Sequence, residues 1–496
     1  MQLFRNNPRI FFLLPLLFLA LGLLFYYQFN SNFVIYLSLI PLAFLLIILA
    51  VFYTEKLFLI TVFLTPLSVS LRELGIADGH QSLDLSLPTE PVFAGLLLLG
   101  IIHQIYFNFL EKKLVNHALS YLIIIQLIWI IITSITSTMP IVSLKFFVAR
   151  LWLVGSSFYF ASYLFKHLKN IYSFIILYLL GLLIVIIQTT IKHASFGFSD
   201  EVSNWIMTPF YNDHTAYGAA IALLLPVTIG FIFLKNKSFN YRLFFVIASL
   251  LLLSGIYLST ARAAWLSIVG SCFILITLLL KIKFRTIFIF IATIVSLFFV
   301  FQNEIIISLE KNKADSEGNK ADNIGSITNI KTDPSNVERL NRWNCALRMY
   351  DEKPFFGFGP GTYILQYAPF QKSSEKTIIS NNDGSNGNAH SEYLGPLAEQ
   401  GLIGTIIVLL LTCVFYFKSY KLYYSIKDYN LKILVGSIIV GMSTYFIHGF
   451  LNNFLDSDKL AVPFWGFLAI IVAIDCYHNE VISDEKSATN LNVKTT

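Results

Sequence analysis

The chain has 496 residues, of which 56% are hydrophobic and 13% are charged, and its mean hydropathy is +0.68. This composition is too apolar for a soluble domain of this length and indicates a polytopic membrane protein. The net charge of +6 comes largely from short loops between apolar runs, where it sets orientation, so it does not indicate nucleic-acid binding.

The first apolar run, residues 10–27, follows Arg5 and Arg9 in the manner of a signal peptide. No small-residue cleavage site follows it, and a second apolar run begins at Phe33. We therefore expect the first run to remain in the protein as a transmembrane helix.

Further apolar runs follow along the chain, and the sequence predicts an all-α membrane protein with about 14 transmembrane helices. A spanning helix needs about 17–25 residues, and helices are expected because backbone groups cannot stay unpaired in lipid and no barrel-type alternation occurs. The third run is short and contains Pro66. The predicted spans are 10–27, 33–53, 57–71, 91–107, 118–137, 144–165, 171–191, 214–234, 243–260, 263–280, 286–302, 401–418, 431–451 and 461–477.

Lys and Arg residues concentrate in every second short loop, for example in 281–285 and 418–432, whereas the alternate loops hold single residues such as Lys192. This asymmetry predicts that both termini lie in the cytoplasm. The predicted parts are an N-terminal bundle of about eleven helices (1–302), one large outer loop (303–400), three C-terminal helices (401–477) and a disordered cytoplasmic tail (478–496).

The large loop contains short helices and turns. We expect mobile stretches at 310–336 and 373–388, and a Gly/Pro turn cluster in "PFFGFGPGTY", which holds Gly359 and Gly361. The segment "RLNRWNCALRMYDEKP" has helical periodicity. It predicts an amphipathic helix on the membrane or on the bundle, with an apolar stripe of Leu340, Trp343, Leu347 and Tyr350 and with Arg339 and Arg342 along its edge.

Two arginines lie at unusual positions. Arg150 falls inside the sixth predicted span, where an arginine costs about 2.5–3.5 kcal/mol on insertion scales, so it faces the bundle interior or pairs with a carbonyl or helix end. Arg262 lies where two spans meet with almost no loop. Its planar fork of donors suits phosphate or pyrophosphate oxygens, although a simple interfacial anchor would also explain it.

Two histidines are candidates for substrate contact. His214 follows Asn212 and Asp213, either of which could cap the eighth predicted helix, and it is either a ligand-binding or an ordinary interfacial histidine. His390 precedes a short helix for which Ser391 is a natural N-cap and Glu392 a flanking acid. We interpret His390 as a general base, or else as a residue that only orients the loop, and we expect the helix N-terminus to offer an anion site.

Taken together, "STARAAW" around Arg262, "RLNRWNCALRMYDEKPFFGFGPGTY" and "NAHSEYLGPLAEQGLIG" resemble the O-antigen ligase and O-antigen polymerase family of bacterial envelope glycosyltransferases. The likeness covers roughly residues 140–450. The family's ligases usually have about twelve helices, fewer than the number predicted from this sequence.

The resemblance implies transfer of a glycan from undecaprenyl pyrophosphate to a glycolipid or glycan acceptor on the periplasmic face of the inner membrane. Such enzymes invert the anomeric carbon and use no metal or other cofactor. The family's loop histidine, which assists the acceptor hydroxyl, corresponds to His390. Donor binding is assigned to Arg262, Arg150, Arg339, Arg342 and His214, and positioning of the loop to Ser391, Glu392, Gly359 and Gly361.

The resemblance leaves several functions open. A ligase would act on lipid A-core in lipopolysaccharide biosynthesis, whereas a polymerase or a protein O-oligosaccharyltransferase would use another acceptor. A transporter or flippase is the alternative from another class. A transporter favours internal repeats and polar groups deep in the bundle, but here the notable polar groups lie toward the outer face.

Overall fold

The computed structural model describes residues 46–74 except 47 and 51, 85–108, 110–283, 285, 286, 289, 293, 334–373, 375, 376, 380 and 387–479. The predicted span 10–27, most of the predicted spans 33–53 and 286–302, residues 310–333 of the predicted mobile stretch 310–336, most of the predicted mobile stretch 373–388 and the tail from residue 480 lie outside these residues.

The described part of the chain is helical, apart from one small hairpin of two strands. Its α-helices are α1 Thr54–Leu64, α2 Thr89–Phe107, α3 Lys112–Val115, α4 Ala118–Ile135, α5 Pro140–Val154, α6 Ala161–Leu164, α7 Leu168–Ser195, α8 His214–Ile232, α9 Phe239–Ser259, α10 Arg262–Leu279, α11 Pro334–Glu352, α12 Tyr363–Gln366, α13 Leu394–Ser425, α14 Tyr429–His448 and α15 Asp458–Ala473. Short 3-10 helices cover Thr65–Leu67, Asp200–Val202 and Ala368–Phe370, and π-helical turns cover Gly155–Phe160 and Ile474–His478.

Within the described residues, ten helices are long and apolar enough to cross a membrane. Each coincides with one of the predicted spans between 91–107 and 461–477, and α5 and α6 form one span because the π-helical turn joins them. The multi-pass helical architecture is therefore confirmed, whereas the total of fourteen is not tested by the described part of the chain.

The predicted third span, 57–71, is wrong. The helix α1 has 11 residues, too few to cross a bilayer, and it gives way to the 3-10 turn around Pro66. The strands β1 (Val69–Ser70) and β2 (Ser86–Leu87) then pair antiparallel, with Val69 opposite Leu87 and Ser70 opposite Ser86. This hairpin is a small departure from the predicted all-α fold.

The last helix, α15, forms the centre of the bundle. Its residues from Asp458 to Ala473 are all buried, and Trp465 is among the largest fully buried side chains. A side chain at Gly466 would collide with the ring of Phe174 on α7, so the absence of a Cβ there permits close approach of the two helices.

The described part of the predicted outer loop packs on one end of the bundle, at the hairpin between α4 and α5. The Phe358 carbonyl accepts hydrogen bonds from the Thr138 N–H at 2.9 Å and from its hydroxyl at 2.8 Å, and Phe356 stacks on Trp129. We call this end of the bundle the loop end. The junctions α7–α8, α9–α10 and α14–α15 lie at the same end, because consecutive spans alternate in direction.

The helix α11 belongs to a second, smaller apolar core rather than to the bundle core. Its members from α11 are Cys345, Ala346 and Met349, which pack on residues between Phe358 and Ala398. The predicted stripe does not pack on the bundle, because Leu340 and Leu347 are 37% and 43% exposed; its alternative placement on the membrane stays a prediction. The buried face instead carries Glu338, Asn341, Arg342, Cys345, Ala346 and Met349.

Candidate functional site

His390 lies in a tight turn held from both sides. Its φ of +48° is in the left-handed region, which a non-glycine residue seldom adopts. Its N–H donates to Asn388 Oδ1 at 3.0 Å, and its carbonyl accepts from the Trp343 indole at 3.3 Å. Two residues further on, the Glu392 N–H donates to the Gly449 carbonyl at 2.8 Å. The helix α11 and the α14–α15 junction therefore fix the backbone of this segment together.

Three histidines from distant parts of the sequence share one electrostatic environment. The charge of Arg339 acts on His214, His390 and His448, as does the charge of Asp213. Arg342 contributes at His390, and Arg262 contributes at His214. We call these residues, with Asn452, the histidine–arginine cluster: His214, His390, His448, Arg262, Arg339, Arg342, Asp213 and Asn452.

Asn452 lies between two histidines of this cluster. Its amide nitrogen is 3.1 Å from His448 Nε2, and its side chain also hydrogen-bonds the His390 ring. Asn452 and His448 are both buried. Sequence reasoning missed both residues. The sequence feature that could have pointed to them was a histidine at the loop end of an apolar span, followed by "GFLNN".

The environment of His390 favours the neutral imidazole. Burial of the ring, followed by the positive charges of Arg339 and Arg342, lowers the pKa of His390 from 6.5 to about 4, against opposing contributions from Asn452 and Asp213. The residue still keeps part of its surface exposed. A neutral, partly accessible imidazole at physiological pH is able to accept a proton.

Arg342 is buried rather than placed along a helix edge. Its Nε donates to Glu338 Oε1 at 2.6 Å, and its guanidinium lies 3.9 Å from the ring centre of Tyr367. A Cβ at Gly387, which has a φ of +135°, would fall 2.2 Å from the guanidinium. The chain at Gly387 therefore passes directly over Arg342, three residues before His390.

Arg262 and His214 each occupy the first position of a helix at the loop end. Arg262 opens α10 after a turn of two residues, in which Thr260 takes a left-handed conformation. This is the tight hairpin expected from the sequence. His214 opens α8, and Asp213 caps that helix by accepting from the Thr215 and Ala216 N–H groups at 2.7 and 2.8 Å.

Glu392 connects the His390 segment to the α14–α15 junction. Its Oε1 accepts from the Tyr445 hydroxyl at 2.6 Å and from the N–H groups of Phe454 and Leu455 at 2.8 and 3.1 Å. Burial and the nearby Asp456 raise the pKa of Glu392, while the Tyr445 hydroxyl and Arg150 oppose this. Its contacts are those of a residue that positions the loop.

The predicted anion site at the helix after Ser391 is wrong. The Ser391 hydroxyl accepts from the Tyr393 and Leu394 N–H groups, each at 3.3 Å, and the Gly395 N–H bonds the Ser391 carbonyl at 3.0 Å. Because these donors are already engaged, they do not point at a ligand. Ser391 stabilises the turn, as a cap would, three residues before α13 begins at Leu394.

Glycines allow the turn cluster to lie directly against the hairpin between α4 and α5. Gly359 and Gly361 have φ values of +114° and +74°. A Cβ at Gly359 would fall 1.9 Å from the Ser137 hydroxyl, and one at Gly361 would lie 3.1 Å from the Phe146 ring. At Gly401 (φ +70°) the helix α13 kinks, where the Phe355 carbonyl approaches.

Arg150 does not join the histidine–arginine cluster in this arrangement. It is 8% exposed and forms an ion pair with Asp456 at 2.7 Å. Its charge acts on Glu392 and Glu399. The structure thus brings together Arg262, Arg339, Arg342, His214 and His390 from the predicted site, and places Arg150 with a set of carboxylates.

The described residues contain no group of three or more His, Cys, Asp or Glu side chains arranged to hold a metal ion. No protein with a curated description matches the chain significantly. Residues 247–409, however, match the family model described as O-Antigen ligase. The matched range includes Arg262, Arg339, Arg342 and His390. The resemblance predicted from the sequence is thereby confirmed for this part of the chain, which is similar to the O-antigen ligase family.

Proposed function

We propose that this protein is a glycosyltransferase that moves a glycan from undecaprenyl pyrophosphate to lipid A-core, as an O-antigen ligase does, at the periplasmic face of the inner membrane. The observation that carries this proposal is the histidine–arginine cluster at the loop end. It joins three arginines to a neutral histidine where a membrane-bound donor and a bulky acceptor can meet.

The proposed orientation follows from the charges at the two ends of the bundle. The end opposite the loop carries Lys166, paired with Glu111 at 2.5 Å, and further lysines such as Lys235. Because cytoplasmic loops of membrane proteins are enriched in lysine and arginine, that end is the cytoplasmic one. The loop end then faces the periplasm.

In the proposed site, Arg262, Arg339 and Arg342 bind the pyrophosphate of the donor. A guanidinium offers paired donors that match phosphate oxygens. Pyrophosphate is already a good leaving group, and its negative charge grows as the bond to the sugar breaks. Fixed cations placed where charge develops lower the barrier most effectively. His214, at the start of α8 and within the field of Arg262 and Arg339, would add a donor to the same group.

His390 takes the role of general base. The acceptor oxygen bonds to the anomeric carbon from the face opposite the pyrophosphate, which inverts that carbon. The hydroxyl proton passes to the free ring nitrogen of His390, and the electron pair of the breaking bond leaves with undecaprenyl pyrophosphate. Asn452 positions the imidazole by a hydrogen bond to the other ring nitrogen of His390. His448 in turn contacts the Asn452 side chain.

Donor binding should strengthen this base. A histidine with a pKa of about 4 is neutral at physiological pH but only weakly basic. The charges of Arg339 and Arg342 account for part of the lowered pKa. A bound pyrophosphate would offset those charges and raise the pKa, so that His390 would gain basicity only when the donor is in place.

The lipopolysaccharide ladder of a deletion strain tests the function. Loss of all capped bands, with accumulation of carrier-linked polymer, is expected for a ligase. Core carrying a single repeat would indicate a polymerase, and an unchanged ladder with altered glycoproteins would indicate a protein O-oligosaccharyltransferase. Purified protein that releases carrier pyrophosphate only when acceptor is present would exclude a transporter or flippase.

A further inference from the structure

A cavity of about 210 Å³ lies beside the segment that carries His390. Ala389 and Ser391, the two neighbours of His390, line this cavity, whereas the residues of the histidine–arginine cluster are not among its lining residues. The segment 388–391 therefore forms a wall between the cavity and the cluster. Apolar residues from the bundle, including Leu411, Phe446 and Trp465, form much of the remaining lining.

The charged residues in the lining of the cavity are mainly acidic. Glu392, Glu399 and Asp456 contribute carboxylates, and Arg150 contributes one cation. Arg150 pairs with Asp456, while the Asp456 side chain remains 54% exposed and keeps oxygen surface for a ligand. Arg150 is already paired with Asp456, and the other ionisable side chains named here, Glu392 and Glu399, are acids, so a pyrophosphate is disfavoured here and favoured on the arginine side.

Carboxylates among apolar and aromatic surfaces suit a different ligand. Hydroxyl groups donate hydrogen bonds to carboxylates, and such charge-assisted bonds are stronger than neutral ones. Pockets that combine apolar walls with a few oriented polar groups are typical of small-molecule sites. The volume is below the roughly 300–1,000 Å³ of pockets for drug-sized ligands, which limits the occupant to a small part of a glycan.

We propose that this cavity binds an uncharged, hydroxyl-rich sugar residue, apart from the pyrophosphate site across the 388–391 wall. The proposal rests on the proposed function and adds a glycan subsite to it. The sugar belongs either to the acceptor or to the donor glycan, since both present the same hydroxyl chemistry, and the experiment below separates these two sources.

Gly395 offers a way to fill the cavity without disturbing the cluster. It lines the cavity, and a Cβ at this position would meet only the Ala389 Cβ, at an ordinary 3.8 Å. Gly395→Leu should therefore project into the open space. Gly95→Leu, on α2, is the matched control, because a Cβ at Gly95 meets nothing within 4 Å. Glu399→Gln removes one carboxylate charge while keeping an oxygen for the Tyr363 N–H, which Glu399 Oε1 accepts at 2.9 Å.

The variants are purified into nanodiscs, and two readouts are compared. The first is binding of sugar-free undecaprenyl pyrophosphate, which should stay within about twofold of wild type in every variant. The second is glycan transfer, which should fall about 10- to 100-fold in Gly395→Leu and less in Glu399→Gln, as expected for loss of hydrogen bonds to charged groups. Gly95→Leu should match wild type.

The KM values identify the source of the sugar. A raised KM for the acceptor alone assigns the cavity to the acceptor, and a raised KM for the donor with unchanged carrier binding assigns it to the donor glycan. Wild-type transfer in both Gly395→Leu and Glu399→Gln would overturn the subsite, as would an equal loss of carrier binding. If wild-type protein transfers no glycan, the proposed function fails instead. Binding of the free core oligosaccharide and free O-antigen glycan to wild type and Gly395→Leu then decides the subsite.

Discussion

The two sides of the 388–391 wall differ in the charge that they present. On one side, Arg339 and Arg342 act on the partly exposed His390. On the other, Glu392, Glu399 and Asp456 line a cavity with Arg150 as its cation. A few residues of loop separate these two surfaces, and their different charge is the reason for proposing a pyrophosphate on one side and a neutral sugar on the other.

Hydrogen bonds from residues on both sides also hold this wall in place. Trp343 and Asn388 hold the backbone of His390, and two residues further on the Glu392 side chain accepts from the Tyr445 hydroxyl and ties the segment to the α14–α15 junction. The histidine is therefore positioned by groups that also shape the cavity. Variants of residues on the cationic side should change the chemical step itself, whereas variants of residues in the wall should change the alignment of His390.

The largest expected effect comes from His390→Ala. General-base assistance is worth about 10²–10⁴-fold, so we expect transfer to fall by this factor in a purified assay. The protein should stay folded and inserted, and it should bind undecaprenyl pyrophosphate as wild type does, because the arginines remain in place.

His390→Gln separates the base from an orienting group. Glutamine can hydrogen-bond a hydroxyl but cannot take its proton, so this variant should be nearly as impaired as His390→Ala. Activity close to wild type at equal protein level would show that His390 only orients the loop.

Arg262→Lys should have the next largest effect. Lysine keeps the charge but loses the planar fork, and loss of hydrogen bonds to a charged group costs about 1.5–3 kcal/mol, or about 10- to 100-fold in rate. Carrier binding and transfer are both measured. Arg242→Lys, in the first turn of α9 at the opposite end of the bundle, is the control and should behave as wild type. Full activity of Arg262→Lys would remove this arginine from the donor site.

Glu392→Ala tests the wall itself and should have a smaller effect on transfer. It removes the acceptor of three hydrogen bonds and leaves buried donors unsatisfied, at about 1–3 kcal/mol. We expect a fall of about tenfold in kcat, a lower Tm and unchanged carrier binding. Glu392→Gln retains an oxygen and should recover most of the kcat. An Ala variant with wild-type kcat would mean that the wall is held by other contacts.

Much of the bundle could be predicted from the sequence, because a spanning helix requires a long apolar run wherever it packs. The helix α11 was predicted with the wrong face buried. Apolar periodicity favoured Leu340 and Leu347, but Glu338 and Arg342 satisfy each other by an ion pair and are buried in their place. His448 and Asn452 carry no local pattern, since only the packing of α14 against the loop brings them to His390.

The smallest expected effect is a shift in the pH dependence of transfer. With the pKa of His390 lowered to about 4, the base is neutral above that pH and is lost as the pH falls through it. A histidine with the ordinary value of about 6.5 would be only about one-tenth neutral at pH 5.5. The pH profile of kcat/KM for the donor, at saturating acceptor, reports the free site and should therefore hold its value down to about pH 4.5.

The profile of kcat reports the complex, where bound pyrophosphate offsets Arg339 and Arg342, so its acid limb should lie at higher pH. In Asn452→Ala the limb of kcat/KM should move to still lower pH, because the hydrogen bond that the His390 ring donates to the Asn452 side chain raises the pKa of His390. An acid limb of kcat/KM near pH 6.5 in wild type would show that the cationic side does not hold His390 in its neutral form.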